Sequence, residues 1–262
     1  MRLASVVKRG INTLGFEISR YNPKPKLNWQ QQFFDDLLTL RGTNNDTAAF
    51  LKFCAANMEQ SRAQLFQDLL VLFLLRQKRG GYFVEFGATD GIDLSNTYLL
   101  ETSYECQGIV AEPARCWHRA VARNRSCSVE QRCVWSASNE MLEFNETVEA
   151  EYSTINLLSH TDFHANRRQG GKKYTVKTIS LHDLLKLHNA PRQIDYLSID
   201  TEGSELSILK SFFPTEHSIR IITVEHNHTE QRSQIHTVLT SHGYRRMFEE
   251  LSKWDDWYCC LR

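Results

Sequence analysis

Carboxylates at the ends of apolar runs are the residues whose types and spacing point most clearly to chemistry. The five of interest, in chain order, are Glu85, Glu112, Asp200, Glu202 and Glu225. A carboxylate in or beside a buried strand costs free energy unless a partner satisfies it. If these runs are parallel strands of one sheet, their carboxyl ends share the edge at which open α/β sheets bind ligands. The pattern therefore predicts a ligand-binding site lined by acidic side chains.

The first of these segments is a glycine turn, Glu85-Phe86-Gly87-Ala88-Thr89-Asp90-Gly91. Its two glycines permit a tight turn and a close approach of other groups. The segment lacks the Gly-x-Gly-x-x-Gly dinucleotide fingerprint, and its acidic residues would repel a pyrophosphate at the start of the following helix. It is better suited to a ligand that carries a positive charge.

Glu112 follows the next predicted strand, 27 residues after Glu85. An acidic residue at this place in an α/β sheet commonly accepts hydrogen bonds from the ribose hydroxyls of a nucleoside. Taken alone, Glu112 is as well explained as a solvated loop carboxylate. Its position after the acidic glycine turn favours the ribose ligand.

Two further strand ends supply candidates for proton transfer. Asp200 and Glu202 follow one apolar strand, and Glu225-His226 ends another. A histidine can take a proton from a hydroxyl near neutral pH, and Glu225 could orient it. The alternatives are that Asp200 caps the following helix, or that His226, His228 and Glu225 bind a metal. Because no further ligand is evident, we rank metal below base catalysis and expect His228 to be a surface residue.

The elements that must position these residues alternate in type. Apolar periodicity predicts helices over residues 46–58, 62–76, 95–104, 114–124, 180–189, 204–212 and 230–241. Compact apolar runs predict strands over residues 82–86, 108–111, 174–179, 194–199, 219–224, 244–248 and 257–261, with two shorter strands within 127–145. This alternation predicts an α/β fold, in which an open parallel sheet is covered by helices on both faces.

Composition excludes several classes of protein. The 262 residues carry 31 basic and 31 acidic side chains, so the chain lacks the basic excess of a duplex-DNA binder. Its seven cysteines never form a Cys-x-x-Cys pair, which indicates reduced thiols in a cytoplasmic protein rather than disulfides or structural zinc. The longest apolar run, Leu69 to Leu75, is far shorter than the ~20 residues of a membrane span.

The first 60 residues are predicted to form a helical extension, and residues 61–262 the main domain. Residues 1–27 hold six basic side chains against one acidic side chain. Apolar residues recur there every three or four positions, which predicts a basic amphipathic helix over about residues 1–20. Such a helix can lie on the inner face of an anionic membrane or pack against its own domain. No unbroken apolar region follows the charges, so we expect no signal peptide. A second helix is predicted over residues 29–40.

Five sequence motifs are, in combination, specific to one family. They are Phe83-Val84-Glu85-Phe86-Gly87-Ala88-Thr89-Asp90-Gly91, Ser95-Asn96-Thr97-Tyr98-Leu99-Leu100-Glu101, Glu112-Pro113, Ile199-Asp200-Thr201-Glu202-Gly203-Ser204-Glu205 and Val224-Glu225-His226-Asn227. Together they resemble the FkbM-type methyltransferases. The likeness runs from about residue 61 to residue 260 and includes Gly243-Tyr244 and Trp254-Asp255-Asp256-Trp257-Tyr258. It does not explain the first 60 residues.

This resemblance implies a class I methyltransferase fold, which is Rossmann-like, with a seven-stranded, mostly parallel sheet whose last strand is antiparallel. It also implies S-adenosylmethionine as the cofactor. The implied reaction is methyl transfer to oxygen, often to a hydroxyl of a sugar, a glycan or a secondary metabolite. The partner would then be a small-molecule or glycan acceptor and not a nucleic acid.

The resemblance also implies which residues bind the cofactor. They are Glu85, Gly87, Ala88, Asp90, Gly91, Asn96, Glu112, Ser136 and Asp200. In this reading Glu85, Gly87 and Gly91 surround the methionine end, Glu112 binds the ribose, and Ser136 lies near the adenine. Many members of the family have Asp in place of Glu85 and Asn in place of Thr89. Glu85 keeps the carboxylate.

For catalysis we expect His226 or Asp200 to be the general base, with Glu202 and Glu225 as substrate-side or orienting carboxylates. Much of the acceleration of such an in-line transfer comes from alignment of the reacting atoms. Sugar methyltransferases of other families hold a divalent ion with acidic residues, and Asp200 and Glu202 could do the same. The sequence itself predicts no metal.

The polar stretch from Glu146 to Lys173 is predicted to be a long loop that covers the acceptor. Its cationic end, with Arg167, Arg168, Lys172 and Lys173, favours an anionic acceptor, although ordinary surface charge explains it equally well.

Two alternatives to an active methyltransferase stay open. One is a catalytically silent member of the family that binds a membrane or a partner through residues 1–20. The other is an NAD-dependent oxidoreductase, which the acidic first loop disfavours.

Overall fold

The computed structural model describes residues 45–260, and the helices predicted over residues 1–20 and 29–40 lie outside this range. Its helices are α1 (Asn45–Asn57), α2 (Gln67–Leu74), α3 (Tyr98–Tyr104), α4 (His118–Asn124), α5 (Leu181–Leu187), α6 (Glu205–Phe212) and α7 (Gln231–Ser241). Its strands are β1 (Tyr82–Phe86), β2 (Gln107–Ala111), β3 (Ser128–Glu130), β4 (Cys133–Trp135), β5 (Met141–Glu146), β6 (Thr154–Ile155), β7 (Lys172–Ser180), β8 (Gln193–Ile199), β9 (Ser218–Glu225), β10 (Arg245–Met247) and β11 (Asp255–Cys259). Among residues 45–260, no helix has the length and apolar character needed to cross a bilayer.

The main sheet has seven strands in the order β10-β11-β9-β8-β1-β2-β3. Strands β3, β2, β1, β8 and β9 run parallel, whereas β11 is antiparallel to both of its neighbours. This topology confirms the predicted α/β class and the antiparallel last strand. The carboxyl ends of β1, β2, β8 and β9 consequently share one edge of the sheet.

Apolar side chains cover both faces of the main sheet, as parallel strands between helical layers require. Alternate residues of a strand point to opposite faces. Val84 and Leu197 therefore pack with α5, α6 and α7, whereas their neighbours Phe83 and Tyr196 pack with α1 and α2. The two cores hold the central strands rigidly beneath the edge that carries the predicted site.

A second sheet, in the order β4-β7-β5-β6, borders the predicted long loop, most of which lies in turns between its strands. β5 continues through Glu146, and β7 begins at Lys172 and pairs antiparallel with β5. The chain between them, residues 147–171, contains β6 and two 3-10 turns, Ala150–Tyr152 and Asn156–Leu158. We call residues 147–171 the cover segment. It is an ordered structure built on a hairpin, which the weak periodicity of its sequence did not indicate.

Three helices begin three or more residues later than the sequence pattern predicts. α4 begins four residues later, after a turn over residues 115–117, and tertiary contacts explain the other two. α2 begins five residues later, because Ala63 forms a β-bridge with Leu94. α3 begins three residues later, because residues 95–97 make hydrogen bonds to Glu85. In both cases contacts between distant residues override the helical periodicity.

Helix α1 packs directly on the main domain. The ring of Phe50 is fully buried. It stacks on Phe248 with ring centroids 4.9 Å apart, and it meets the edge of Trp257 at 6.0 Å. We propose that this described part of the predicted extension folds as one unit with the domain that follows it.

Replacing Phe50 with Ala should therefore destabilise the whole domain. Truncating a fully buried Phe leaves a cavity, and we expect the free energy of unfolding to fall by about 3–5 kcal/mol. Chemical denaturation measures this change, with Lys52→Ala as the control, because Lys52 is exposed on the same helix. A Phe50→Ala variant as stable as the control would show that α1 folds independently of the domain.

Candidate active site

Seven of the predicted site residues line one cavity at the carboxyl edge of the main sheet. They are Glu85, Gly87, Asn96, Glu112, Asp200, Glu202 and Glu225. They come from the ends of β1, β2, β8 and β9 or from the segments that follow these strands. The parallel arrangement thus gathers residues that are far apart in the chain.

The carboxylate of Glu85 forms hydrogen bonds and an ion pair with other residues of the protein. Its Oε1 accepts the main-chain N–H of Asn96 at 2.6 Å, and its Oε2 accepts the hydroxyl of Thr97 at 2.6 Å. The Ser95 hydroxyl donates to Oε2 at 3.0 Å. Arg125, whose side chain is fully buried, pairs with Oε2 at 3.3 Å. Glu85 therefore fixes the position of the segment that carries Asn96.

Asn96 presents a free hydrogen-bond acceptor in this cavity. The residue is 8% exposed, and its Nδ2 donates to the hydroxyl of Ser198 at 2.9 Å. Its Oδ1 is buried and has no hydrogen-bond partner among the described residues. A buried acceptor left without a donor costs about 1–3 kcal/mol. The arrangement is suited to a ligand that donates a hydrogen bond at this point.

Gly87 brings two strand ends into contact. Its φ is +75°, and a Cβ at this position would collide with the main-chain carbonyl oxygen of Asp200. Only glycine accepts both the positive φ and this close approach. The turn after β1 can therefore lie directly against the turn after β8.

Glu112 is held at the end of β2 by main-chain donors. Its Oε2 accepts the N–H of Thr89 and its Oε1 accepts the N–H of Ala114, each at 2.8 Å. Burial nevertheless raises the pKa of Glu112 to about 7. Each carboxylate oxygen can accept a further hydrogen bond. Glu112 thus has capacity for two ligand hydroxyls.

Four acidic residues form the centre of the site, and we call Asp200, Glu202, Glu225 and Asp255 the carboxylate cluster. Oxygen atoms of Asp200, Glu202 and Glu225 lie within 4.8 Å of one another. Asp200 and Glu225 are thus close enough for their charges to interact, and a proton on either of them would relieve the repulsion. The same spacing of oxygen atoms is compatible with a divalent cation.

Burial together with mutual repulsion shifts the titration of the cluster. Burial raises the pKa of Asp200 to about 7, and burial followed by the charge of Asp200 raises the pKa of Asp255 to about 7. Burial, with repulsion from Asp200, also raises the pKa values of Glu202 and Glu225 well above the usual range for Glu. A carboxyl that titrates near neutral pH is suited to accept a proton there.

Two contacts satisfy part of the cluster. Nη2 of Arg168 lies 2.7 Å from Oε2 of Glu202, and Nε2 of Gln67 donates to Asp255 at 2.8 Å. Within residues 45–260, no ion pair reaches Asp200 or Glu225. These two carboxyls face the cavity without a cationic partner from the described chain.

His226 does not line the cavity, although it stands between two residues that do. Glu225 and Asn227 both contribute to the lining. His226 is 3% exposed, its Nδ1 accepts the main-chain N–H of His228 at 3.0 Å, and its Nε2 lies 3.7 Å from Oδ1 of Asp256. The alternation of side chains at a strand end accounts for this arrangement.

Four further predicted cofactor residues also lie outside the lining, namely Ala88, Asp90, Gly91 and Ser136. Asp90 shapes the turn after β1, because its Oδ1 accepts the main-chain N–H groups of residues 92 and 93 at 2.8 Å. A Cβ on Gly91 would come within 2.8 Å of the side chain of Arg125. Ala88, Asp90 and Gly91 thus build the loop after β1, whereas Ser136 follows β4.

Several lining residues were not assigned to the site by the sequence. They include Gln64, Gln67, Cys133, Val134, Trp254 and Asp255. Asp255 opens β11 two residues before the predicted start of that strand. Glu85 lies near the end of its strand, whereas Asp255 is the first residue of an antiparallel strand, whose start lies at the same edge of the sheet. The available clue to Asp255 was the Trp254-Asp255-Asp256-Trp257-Tyr258 segment that shares the family likeness.

The cover segment forms one wall of the cavity. It contributes Tyr152, Ser153, Phe163 and His164, and the rings of Tyr152 and His164 lie 4.5 Å apart. The cavity lining contains no Lys or Arg among the described residues. The cationic end of the segment, which the sequence associated with an anionic acceptor, therefore does not face this space.

The sequence profile of the methyltransferase FkbM domain matches residues 85–246, from the end of β1 to β10. The chain belongs to this family. Its activity is therefore methyl transfer, and its cofactor is S-adenosylmethionine.

Solved methyltransferase structures resemble this FkbM methyltransferase only distantly. The SAH-bound methyltransferase of Podospora anserina is 10% identical, with a TM-score of 0.43 over 94% of this chain and 100% of its own. The TDP-rhamnose 3'-O-methyltransferase of calicheamicin biosynthesis is 11% identical, with a TM-score of 0.42 over 95% of this chain and 99% of its own. A methyltransferase from Geobacter sulfurreducens is 10% identical, with a TM-score of 0.41 over 89% of this chain and 96% of its own. No curated protein matches the sequence significantly.

The raised pKa of Asp255 predicts a pH-dependent effect of neutralising it. The folded protein keeps a proton on Asp255 up to about pH 7, whereas the unfolded chain releases it near about pH 4. The stabilising contribution of this group is therefore complete below about pH 4 and is lost as the pH rises through about 7.

Asp255→Asn removes this loss. Its free energy of unfolding, relative to the wild type, should increase between pH 4 and pH 8 by on the order of 2–4 kcal/mol. Thermal or chemical unfolding across this range measures the difference, with the exposed Glu143→Gln as the control. A difference that does not change with pH would show that Asp255 titrates normally.

Proposed function

We propose that this FkbM methyltransferase is an O-methyltransferase whose acceptor is a hydroxyl of a sugar, a glycan or a secondary metabolite. The observation that carries the proposal is a pair of cavity-lining carboxyls, Asp200 and Glu225, whose oxygen atoms lie within 4.8 Å of each other. Burial raises the pKa values of both. An alcohol must lose its proton as it is methylated, and such a pair can accept that proton near neutral pH.

The lining residues fit the cofactor. The buried, unpartnered Oδ1 of Asn96 can accept a hydrogen bond from the α-ammonium group. Glu112 has acceptor capacity for the two ribose hydroxyls. The carboxylate cluster supplies negative charge for a sulfonium group, which is attracted to it strongly in a site partly shielded from water.

When bound, S-adenosylmethionine supplies an electrophilic methyl group. The chain's own residues then have to orient the acceptor and remove its proton. We assign to Asp200 the role of the base that takes the proton from the acceptor hydroxyl, because this carboxyl lines the cavity and His226 does not. Glu225, whose carboxyl oxygen lies within 4.8 Å of that of Asp200, orients the Asp200 carboxyl. Alignment of this kind supplies much of the acceleration of a group transfer.

The remainder of the lining favours an acceptor that is uncharged at its reacting end. Tyr152, Phe163 and Trp254 give the cavity aromatic surface, and no lysine or arginine belongs to the described lining. Apolar walls with a few convergent polar groups are typical of small-molecule sites. A hydroxylated molecule can place its apolar face on the rings and its hydroxyls on the carboxylates, whereas an anionic group would be repelled.

The proposal is tested by mass spectrometry of acceptor pools incubated with the protein and S-adenosylmethionine. Sugars, glycans and extracted metabolites should show a product heavier by one CH2 group, and only when both the cofactor and the protein are present. Cofactor binding without such a product in any pool would favour the catalytically silent alternative. A product methylated on nitrogen or carbon would contradict the proposed chemistry.

The assignment of the base predicts the effect of two substitutions on this reaction. Asp200→Asn should lower the rate of product formation by about 10²–10⁴-fold, because the amide cannot take a proton. His226→Ala should have a much smaller effect, since the ring does not reach the cavity. The rates are measured at saturating cofactor. If His226→Ala removed the activity while Asp200→Asn kept it, the base would be His226.

A further inference from the structure

Arg168 is a cation enclosed within the cover segment. Its side chain is fully buried, and all of its described hydrogen bonds go to protein groups. Nη1 and Nη2 donate to the two carboxylate oxygens of Asp162, each at 2.9 Å, and Nε donates to the main-chain oxygen of Tyr152 at 2.9 Å. Nη2 also donates to Glu202 at 2.7 Å. A buried guanidinium is tolerated only with such partners.

These partners belong to two different parts of the site. Asp162 and Tyr152 lie in the cover segment, whereas Glu202 belongs to the turn after β8 and to the carboxylate cluster. Within residues 45–260, Arg168 makes the one ion pair that joins the cover segment to that cluster. A second link is a hydrogen bond from the Thr154 hydroxyl to the main-chain oxygen of Glu202 at 2.9 Å.

The geometry of arginine is required for this double contact. The planar fork binds Asp162 through two parallel hydrogen bonds and leaves further N–H groups for Glu202 and the main chain. Without the guanidinium, two buried carboxylates would face each other without a cation, and their described donors would be the main-chain N–H of His164 and the side-chain amide of Asn227. The repulsion between the two carboxylates would push the cover segment away from the turn after β8, and with it the wall formed by Tyr152 and His164.

We propose that Arg168 is a positioning residue, which clamps the cover segment to the carboxylate cluster and so holds one wall of the cavity closed. The clamp rests on the proposed function only in that the cavity is taken as the cofactor site. It assigns to Arg168 a role inside the protein, in place of the acceptor contact that its charge suggested from the sequence.

Hydrogen exchange of the protein without ligand tests the clamp directly. In Arg168→Met, amides of residues 150–164 should exchange on the order of 10²-fold faster, because breaking a buried ion pair strongly favours local opening. Amides of β8 should keep their wild-type rates. Arg119→Met is the control, since Arg119 is an exposed arginine on α4, outside the cover segment.

Charge-specific variants separate a clamp from simple packing. Arg168→Lys should exchange at an intermediate rate, because it keeps the charge but loses the fork. Adding Glu202→Gln to Arg168→Met should slow the exchange of residues 150–164 again, since it removes one of the two opposed carboxylates. Unchanged exchange in Arg168→Met, equal acceleration throughout the chain, or no relief in the double variant would each overturn the proposal.

Cofactor binding provides a second readout, with S-adenosylhomocysteine as the probe in titration calorimetry. If the cavity is closed for only part of the time, its apparent affinity falls by that fraction. Arg168→Met should therefore raise the Kd roughly tenfold, while the control Arg119→Met leaves it unchanged. Equal Kd values for Arg168→Met and the wild type would contradict the clamp. If the wild type bound no probe, the proposed function would fail, whereas hydrogen exchange would still decide the role of Arg168.

Discussion

Mutual repulsion among carboxylates gathered at one edge of the sheet is the constraint on which the rest of the site depends. Parallel strands bring Glu85, Glu112, Asp200 and Glu225 to a single cavity, where low solvent exposure strengthens every charge interaction. Such an arrangement costs stability in the free protein, and functional sites commonly carry costs of this kind. The surrounding structure can be understood by how it satisfies some of these carboxylates and leaves others open.

The satisfied carboxylates serve as structural centres. Glu85 organises the segment after β1 together with the buried Arg125, and Glu205 closes the turn after β8 by accepting the N–H groups of Thr201 and Gly203 at 2.9 and 3.0 Å. The open carboxylates are Asp200 and Glu225, which line the cavity and make no ion pair with the described chain. We therefore propose that proton transfer takes place at Asp200 and Glu225, the two carboxyls that the described chain leaves without a cation.

The sequence predicted the edge of the sheet correctly because apolar runs followed by carboxylates are visible in the chain, and parallel strands align such ends. It could not show which side chains point into the cavity. His226 lies between two lining residues, and a shift of one position along a strand end decides its direction. The contacts of Arg168 with Glu202 and of Gln67 with Asp255 join residues distant in the chain, and no local pattern predicts them.

The central claim is that this acidic cavity holds the cationic, ribose-bearing methyl donor through Asn96 and Glu112. Titration calorimetry of S-adenosylmethionine against the wild type, Asn96→Ala, Glu112→Ala and the exposed control Glu143→Ala tests it most directly. The account predicts that both site variants raise the Kd by about tenfold or more, the loss expected for one or two hydrogen bonds to a charged group, and that the control binds as the wild type does. Wild-type affinity in both site variants would contradict it.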